Sequence, residues 1–126
     1  MASYALVDRL LAESARRQGE DPERGAELGL LALYALEGCR RRRLPGRSQR
    51  RVLALARRAR AAHAAGRTAD AEGALALLEL TAASVVAGLD PAVRVELLEA
   101  RALYHKLALE KAVDEAAQAG RLLDEP

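Results

Sequence analysis

The chain contains no phenylalanine, no tryptophan and no isoleucine, and three tyrosines are its only aromatic residues. A core without large aromatic side chains must be assembled from Leu, Val and Ala. Alanine-lined contacts bury little area each but let two helix backbones come close. Threonine occurs only at Thr68 and Thr81, so β-branched material for strands is scarce. Ala, Leu, Arg and Glu dominate instead, and all four are strong helix formers. The composition therefore predicts an all-α fold, and 126 residues suit one domain with a modest core.

A single cysteine, Cys39, excludes an internal disulfide and any multi-cysteine zinc or iron–sulfur site. A reducing, cytoplasmic setting is expected from that usage. His63 and His105 are the only histidines and fall on different expected helices. With no HExxH, CxxC or EF-hand pattern, no metal site is expected. "GRTADAEG" lacks phosphate-loop spacing, and Ser3, Ser14, Ser48 and Ser84 have no activating context for a nucleophile. The reading is a non-enzymatic protein with no catalytic residue and no cofactor. The opening "MASYALVDRLLAES" carries Asp8 in a short apolar run, which does not read as a signal peptide. No uncharged apolar stretch approaches the roughly 20 residues that span a bilayer, so no membrane association is expected.

Charge is what the chain has in excess, and it is unevenly placed. In "GCRRRRLPGRSQRR", Gly38 to Arg51, seven of fourteen residues are arginine and none is acidic. Between Gly38 and Ala69 there are eleven arginines and no acid, which leaves nine basic and eighteen acidic residues elsewhere under a net charge of only +2. Arg40, Arg41, Arg42, Arg43, Arg47, Arg50 and Arg51 form the candidate basic patch. Three readings stay open for it. It is a solvated connector after a helix C-terminus, where cations complement the dipole. It attracts an acidic protein surface, including that of a second copy of this chain. Or it binds nucleic acid over residues 40–60, since a guanidinium donates two hydrogen bonds to a phosphate. Against the last stand the absence of stacking aromatics near the patch, the scarcity of Lys and the acidic remainder. Arg outnumbers Lys 18 to 2, a ratio that a GC-rich, bacterial genome produces. Cys39, beside Arg40 to Arg43, is either an ordinary thiol at a helix end or a redox-sensitive thiolate favoured by that charge.

Turn residues divide the chain into about six helical segments. Ser3 is placed to cap a helix over Tyr4 to Gln18, with Val7, Leu10, Leu11 and Ser14 on one stripe. Asp21 caps a second helix that has Pro22 first and runs to about Glu37, with Gly38 as its stop. After Pro45 and Gly46, Ser48 caps a third helix ending near Gly66. A fourth covers about Ala69 to Ala87, and Asp90–Pro91 opens a fifth. From Ala92 to Ala119 there is neither Gly nor Pro, so one long helix fits the residues. A break near His105 to Leu109 is nevertheless expected, because helices of that length are uncommon in small domains.

The stretch "LALARRARAAHAAGRTADAEGALALLE" resembles a tetratricopeptide repeat, with Leu55, Ala59, Ala62, Gly66, Ala71, Leu75 and Leu78 at the matching positions. A second copy can be laid on "ELLEARALYHKLALEKAVDEAAQA" through Ala100, Leu103, Ala112, Ala116 and Ala119, and residues 7–37, with "DPERGAELGLLAL", resemble a degenerate first copy. Leu and Ala fill the positions that are usually aromatic in that family. The resemblance implies about three antiparallel hairpins (4–38, 49–88 and 91–124, with an arginine-rich connector at 39–48) stacked as an array; a generic helical bundle is the alternative. It further implies a cytoplasmic adaptor that binds a protein or peptide partner on the face of each first helix. That face would carry Leu53, Ala56, Arg60 and His63 in one unit and Leu97, Arg101, Tyr104 and His105 in the next. Arg60, His63, Arg101, Tyr104 and His105 are the candidate partner-binding residues, suited to an acidic partner because each Arg is followed by His or Tyr about one turn later. So short an array, without evident polar caps, also implies homo-oligomerisation.

Overall fold

In a computed structural model that describes residues 4–39, 46–83 and 88–124, the chain is all-α. Among the described residues there are five helices and no strand: α1 (Tyr4–Gln18), α2 (Pro22–Gly38), α3 (Arg47–Ala64), α4 (Thr68–Ala82) and α5 (Pro91–Asp124). Ser3, Pro45 and Ser84 lie outside the described residues, as does the stretch to Ala87 where α4 was expected to end.

Local chemistry sets the helix ends. Asp21 caps α2 by accepting the Arg24 N–H at 3.2 Å, with Pro22 in the first turn, where a missing N–H costs nothing. At α3 the expected cap is corrected. Gly46 holds the N-cap position with φ of 81°, and the helix opens at Arg47, so Ser48 lies inside it. Only glycine takes that conformation cheaply. At its other end Gly66, with φ of 79°, donates its N–H to His63 O at 3.0 Å while the Arg67 N–H reaches Ala62 O at 2.8 Å. This pair of bonds satisfies the last carbonyls of α3 and turns the chain into α4.

Contacts across the helices give their directions. The Ser14 hydroxyl donates to Gly25 O at 2.7 Å, both groups buried, where α1 and α2 run antiparallel. Arg51 reaches back to Glu37 and Arg67 to Glu23, so α2 and α3 are antiparallel as well. Arg50 meets Asp8 and Arg57 meets Glu96, which sets α1, α3 and α5 parallel to one another. Helix α3 touches all four others and is the hub of the fold. Its Val52, Leu55, Ala56 and Ala59 pack with Leu75 and Leu78 of α4 and with Leu97 and Ala100 of α5. Its Ala54 joins Val7 and Leu11 of α1 and Ala32 and Leu36 of α2. Alanine takes the place of aromatic bulk, and backbones approach accordingly. A Cβ added at Gly25 would come within 3.2 Å of the Gln18 and Ser14 backbone, and one at Gly29 within 3.3 Å of the Arg58 backbone.

The third hairpin does not form. Residues 91–124, expected to turn back near His105 to Leu109, make one helix of 34 residues, about 51 Å long. With no Gly or Pro between Ala92 and Ala119 and with strong helix formers throughout, no residue offers the backbone a stop. The N-terminal half of α5 is packed through Val93, Leu97, Ala100 and Leu107; from Ala108 through Leu123 every residue is exposed.

Candidate functional site

The described part of the arginine-rich segment is turned onto acids of the same chain. Arg47 and Arg51 share Glu37 Oε1 at 3.7 and 3.3 Å. Arg50 grips Asp8 at 2.7 Å, and this hydrogen bond raises the Arg50 pKa above its ordinary value against a smaller effect of burial. Arg57 lies 3.4 Å from Glu96, Arg60 lies 2.7 Å from Glu99 and 3.8 Å from Glu96, and Arg67 lies 3.4 Å from Glu23. The charge imbalance of the sequence is thus folded into complementarity between α3 and its neighbours. Arg40, Arg41, Arg42 and Arg43 lie outside the described residues. Cys39 is buried and its thiol donates to Ala35 O at 3.5 Å.

The expected recognition face is not one surface. Ala56 and Leu97 are core residues, since α3 and α5 pack directly on each other there. Arg60 looks into a polar cleft of about 330 Å³ between α1, α3 and α5, with Gln18, Arg57 and Glu96 on its walls. Two guanidinium groups face Glu96 and Glu99 at this place, so its charge is already balanced. Arg101 points the other way, donating from Nε to Glu79 of α4 at 2.8 Å. His63 sits half-buried in the last turn of α3. Tyr104 and His105 meet edge to face with ring centroids 6.0 Å apart, His105 exposed. Among the described residues no group of three His, Cys, Asp or Glu side chains is placed to hold a metal ion.

A second cleft, of about 460 Å³, opens where α5 draws away from α4. Ala76, Leu107, Ala108 and Ala112 give it apolar walls, Tyr104 adds an aromatic face, and Glu72, Lys111 and Glu115 stand at its rim. Of these residues Tyr104 was a candidate binding residue from the sequence and Ala112 a position of the repeat pattern. Leu107 and Ala108 lie where a turn was expected, and the signal that reveals them is the uninterrupted apolar periodicity of α5. No helix among the described residues is long and apolar enough to cross a membrane. No protein-family model matches the chain, and neither the curated proteins nor the solved structures compared with it include a match.

Proposed function

We propose that the protein is a non-enzymatic interaction module of the cytoplasm, and that it takes an apolar helical segment of a protein partner into the cleft between α4 and α5. The observation that carries this reading is the cleft itself: apolar walls, one aromatic side chain and a rim bearing both signs of charge. Buried aromatic anchors with a polar surround are the usual energetic centre of a protein interface. An amphipathic helix laid into such a groove would place its apolar stripe on Ala76, Leu107 and Tyr104 and its charges on Lys111, Glu72 and Glu115. A protein partner is preferred to nucleic acid because Arg47, Arg50, Arg51, Arg57 and Arg60 are each matched by a carboxylate of the chain.

We further read α1–α2 and α3–α4 as two units of a tetratricopeptide-like array, with α5 the extended first helix of a third. Supporting this is the parallel set of α1, α3 and α5. The 42 residues from Asp8 to Arg50 exceed the family's unit of 34 by about the length of the arginine-rich connector. The test is capture of a protein from nuclease-treated native lysate by the immobilised chain. Ala76→Arg, which fills the cleft from an exposed position on α4, should abolish capture. Leu31→Arg, on the exposed side of α2, should leave it intact. Capture that survives Ala76→Arg, or that depends on nucleic acid, would remove the reading.

A further inference from the structure

The side of α5 that walls the cleft does not end with it. Ala108, Ala112, Glu115, Ala119 and Leu122 follow one another at alternate steps of four and three, the spacing that keeps to one side of a helix. The first three line the cleft. The last two continue past it and are exposed, as is Leu123 beside them at 86%. The α5 wall of the cleft, from Tyr104 to Glu115, is about 17 Å long. The stretch from Ala112 to Leu123 has the same length. Each chain thus carries an open groove and, on the same helix, an exposed helical end that matches it.

We propose that the occupant of the cleft is a second copy of the chain. Each copy lays residues 112–123 of α5, antiparallel, into the cleft of the other about a twofold axis near Val113 and Asp114. The pairing rests on the cleft being a seat for a helix, and it names that helix. A single symmetry operation covers both the groove and the end that leaves it. Tyr104 then lies level with Leu123 of the other copy, Ala108 with Ala119, and Ala112 with Glu115. Small side chains at these levels let the two helices come close. Charge selects both the occupant and the direction. Lys111 and Glu115 stand on the rim of the cleft, and Lys111 of each copy comes beside Glu115 of the other. The methyl group of Ala112 leaves room for that carboxylate. Parallel pairing would instead set Glu115 against Glu115 and Lys111 against Lys111.

The experiment is molar mass by light scattering across the micromolar range. Twice the 13.5 kDa chain mass is expected for the native protein, and Ala76→Arg, which fills the cleft, should return the single mass. Lys111→Glu and Glu115→Lys, both at exposed positions, should each weaken the pair about tenfold, since symmetry repeats the loss. An equimolar mixture of these two variants should regain the native affinity, because every contact again joins opposite charges. A mixture no tighter than either variant alone overturns the proposal. So does a single mass for the native protein throughout the range, or a double mass that Ala76→Arg retains. Direction is read from Ala108→Cys and Ala119→Cys, each in a Cys39→Ala chain, which should cross-link on mixing and not alone. Antiparallel pairing sets the two copies of position 108 about 16 Å apart along the axis, beyond the 7 Å or so that a disulfide spans. Ala108→Cys that cross-links to itself overturns the stated direction. Capture from lysate tells failure of the pairing from failure of the cleft reading. A native single mass with capture that Ala76→Arg abolishes removes the second copy and keeps the cleft, whereas capture that survives Ala76→Arg removes both.

Discussion

Arg50 and Asp8 tie the start of α3 to the first turns of α1 by two parallel hydrogen bonds, Nε to Oδ1 at 2.7 Å and Nη2 to Oδ2 at 3.0 Å. The same guanidinium lies over the Tyr4 ring, 4.0 Å from its centroid. A forked contact plus a stacked face is something arginine supplies and lysine does not. Arg50→Lys should therefore destabilise the fold by about 1 kcal/mol despite keeping the charge, and urea unfolding measures it. Asp8→Asn in the Arg50→Lys background should add little, because the fork is already gone. Full additivity of the two changes would show that the pair does not act as one contact.

Two glycines of α2 and one of α4 should respond to alanine with opposite signs. At Gly25 and Gly29 a Cβ would press on the backbone of α1 or α3 at 3.2 to 3.3 Å, where no flexible side-chain end can yield. Gly25→Ala and Gly29→Ala should each cost on the order of 1–3 kcal/mol. Gly73, inside α4, has nothing within 4 Å of its added Cβ. Gly73→Ala should stabilise the protein by roughly 0.5–1 kcal/mol through helix propensity alone. Thermal unfolding of the three variants side by side checks the signs.

Ion pairing between α3 and α5 should be recoverable after exchange of partners. Arg60→Glu places a third carboxylate beside Glu96 and Glu99 and should cost about 1 kcal/mol at low ionic strength. Adding Glu99→Arg restores an opposite pair across the same gap and should return most of that loss. The difference should shrink in about 1 M NaCl, where the screening length is near 3 Å. A reversal without penalty would mean that these pairs follow from the packing of α3 on α5 rather than help to register it.

Much of this architecture is legible residue by residue. Asp21–Pro22 and Asp90–Pro91 mark helix starts because a capping carboxylate followed by a proline has few other uses. Val7, Leu11 and Ser14 mark the packed face of α1 because burial repeats at helical spacing. The failure at residues 105–109 has a clear origin: a prior on helix length was set against a sequence that contains no breaker, and the backbone follows the sequence. The same error concealed the cleft between α4 and α5, since it exists only if the helix goes on. Ala56 and Leu97 were assigned to a recognition face because a repeat pattern gives spacing but not which side neighbouring helices will cover. The partners of the arginines were hidden for another reason. Asp8 and Arg50 stand 42 residues apart, and no local pattern links them.

The C-terminal half of α5 should be dispensable for the fold and needed for association. The last buried residue of the helix is Leu107, and from there to Leu123 no side chain joins the core. A chain ended after Ala112 should therefore unfold, at low protein concentration, within about 1 kcal/mol of the full-length protein, as expected when only surface is removed. Far-UV circular dichroism should report the loss of one short stretch of helix and no more. The contrast appears on raising the concentration. Any association of folded chains stabilises them by mass action, so the melting temperature of the full-length protein should climb with concentration. The shortened chain, which lacks the exposed end of α5, should show a flat or much weaker dependence. Calorimetry on both proteins over the same concentration range decides the matter. Equal concentration dependence would place the self-contact elsewhere, and a large loss of stability at low concentration would mean that residues 113–124 cover part of the core.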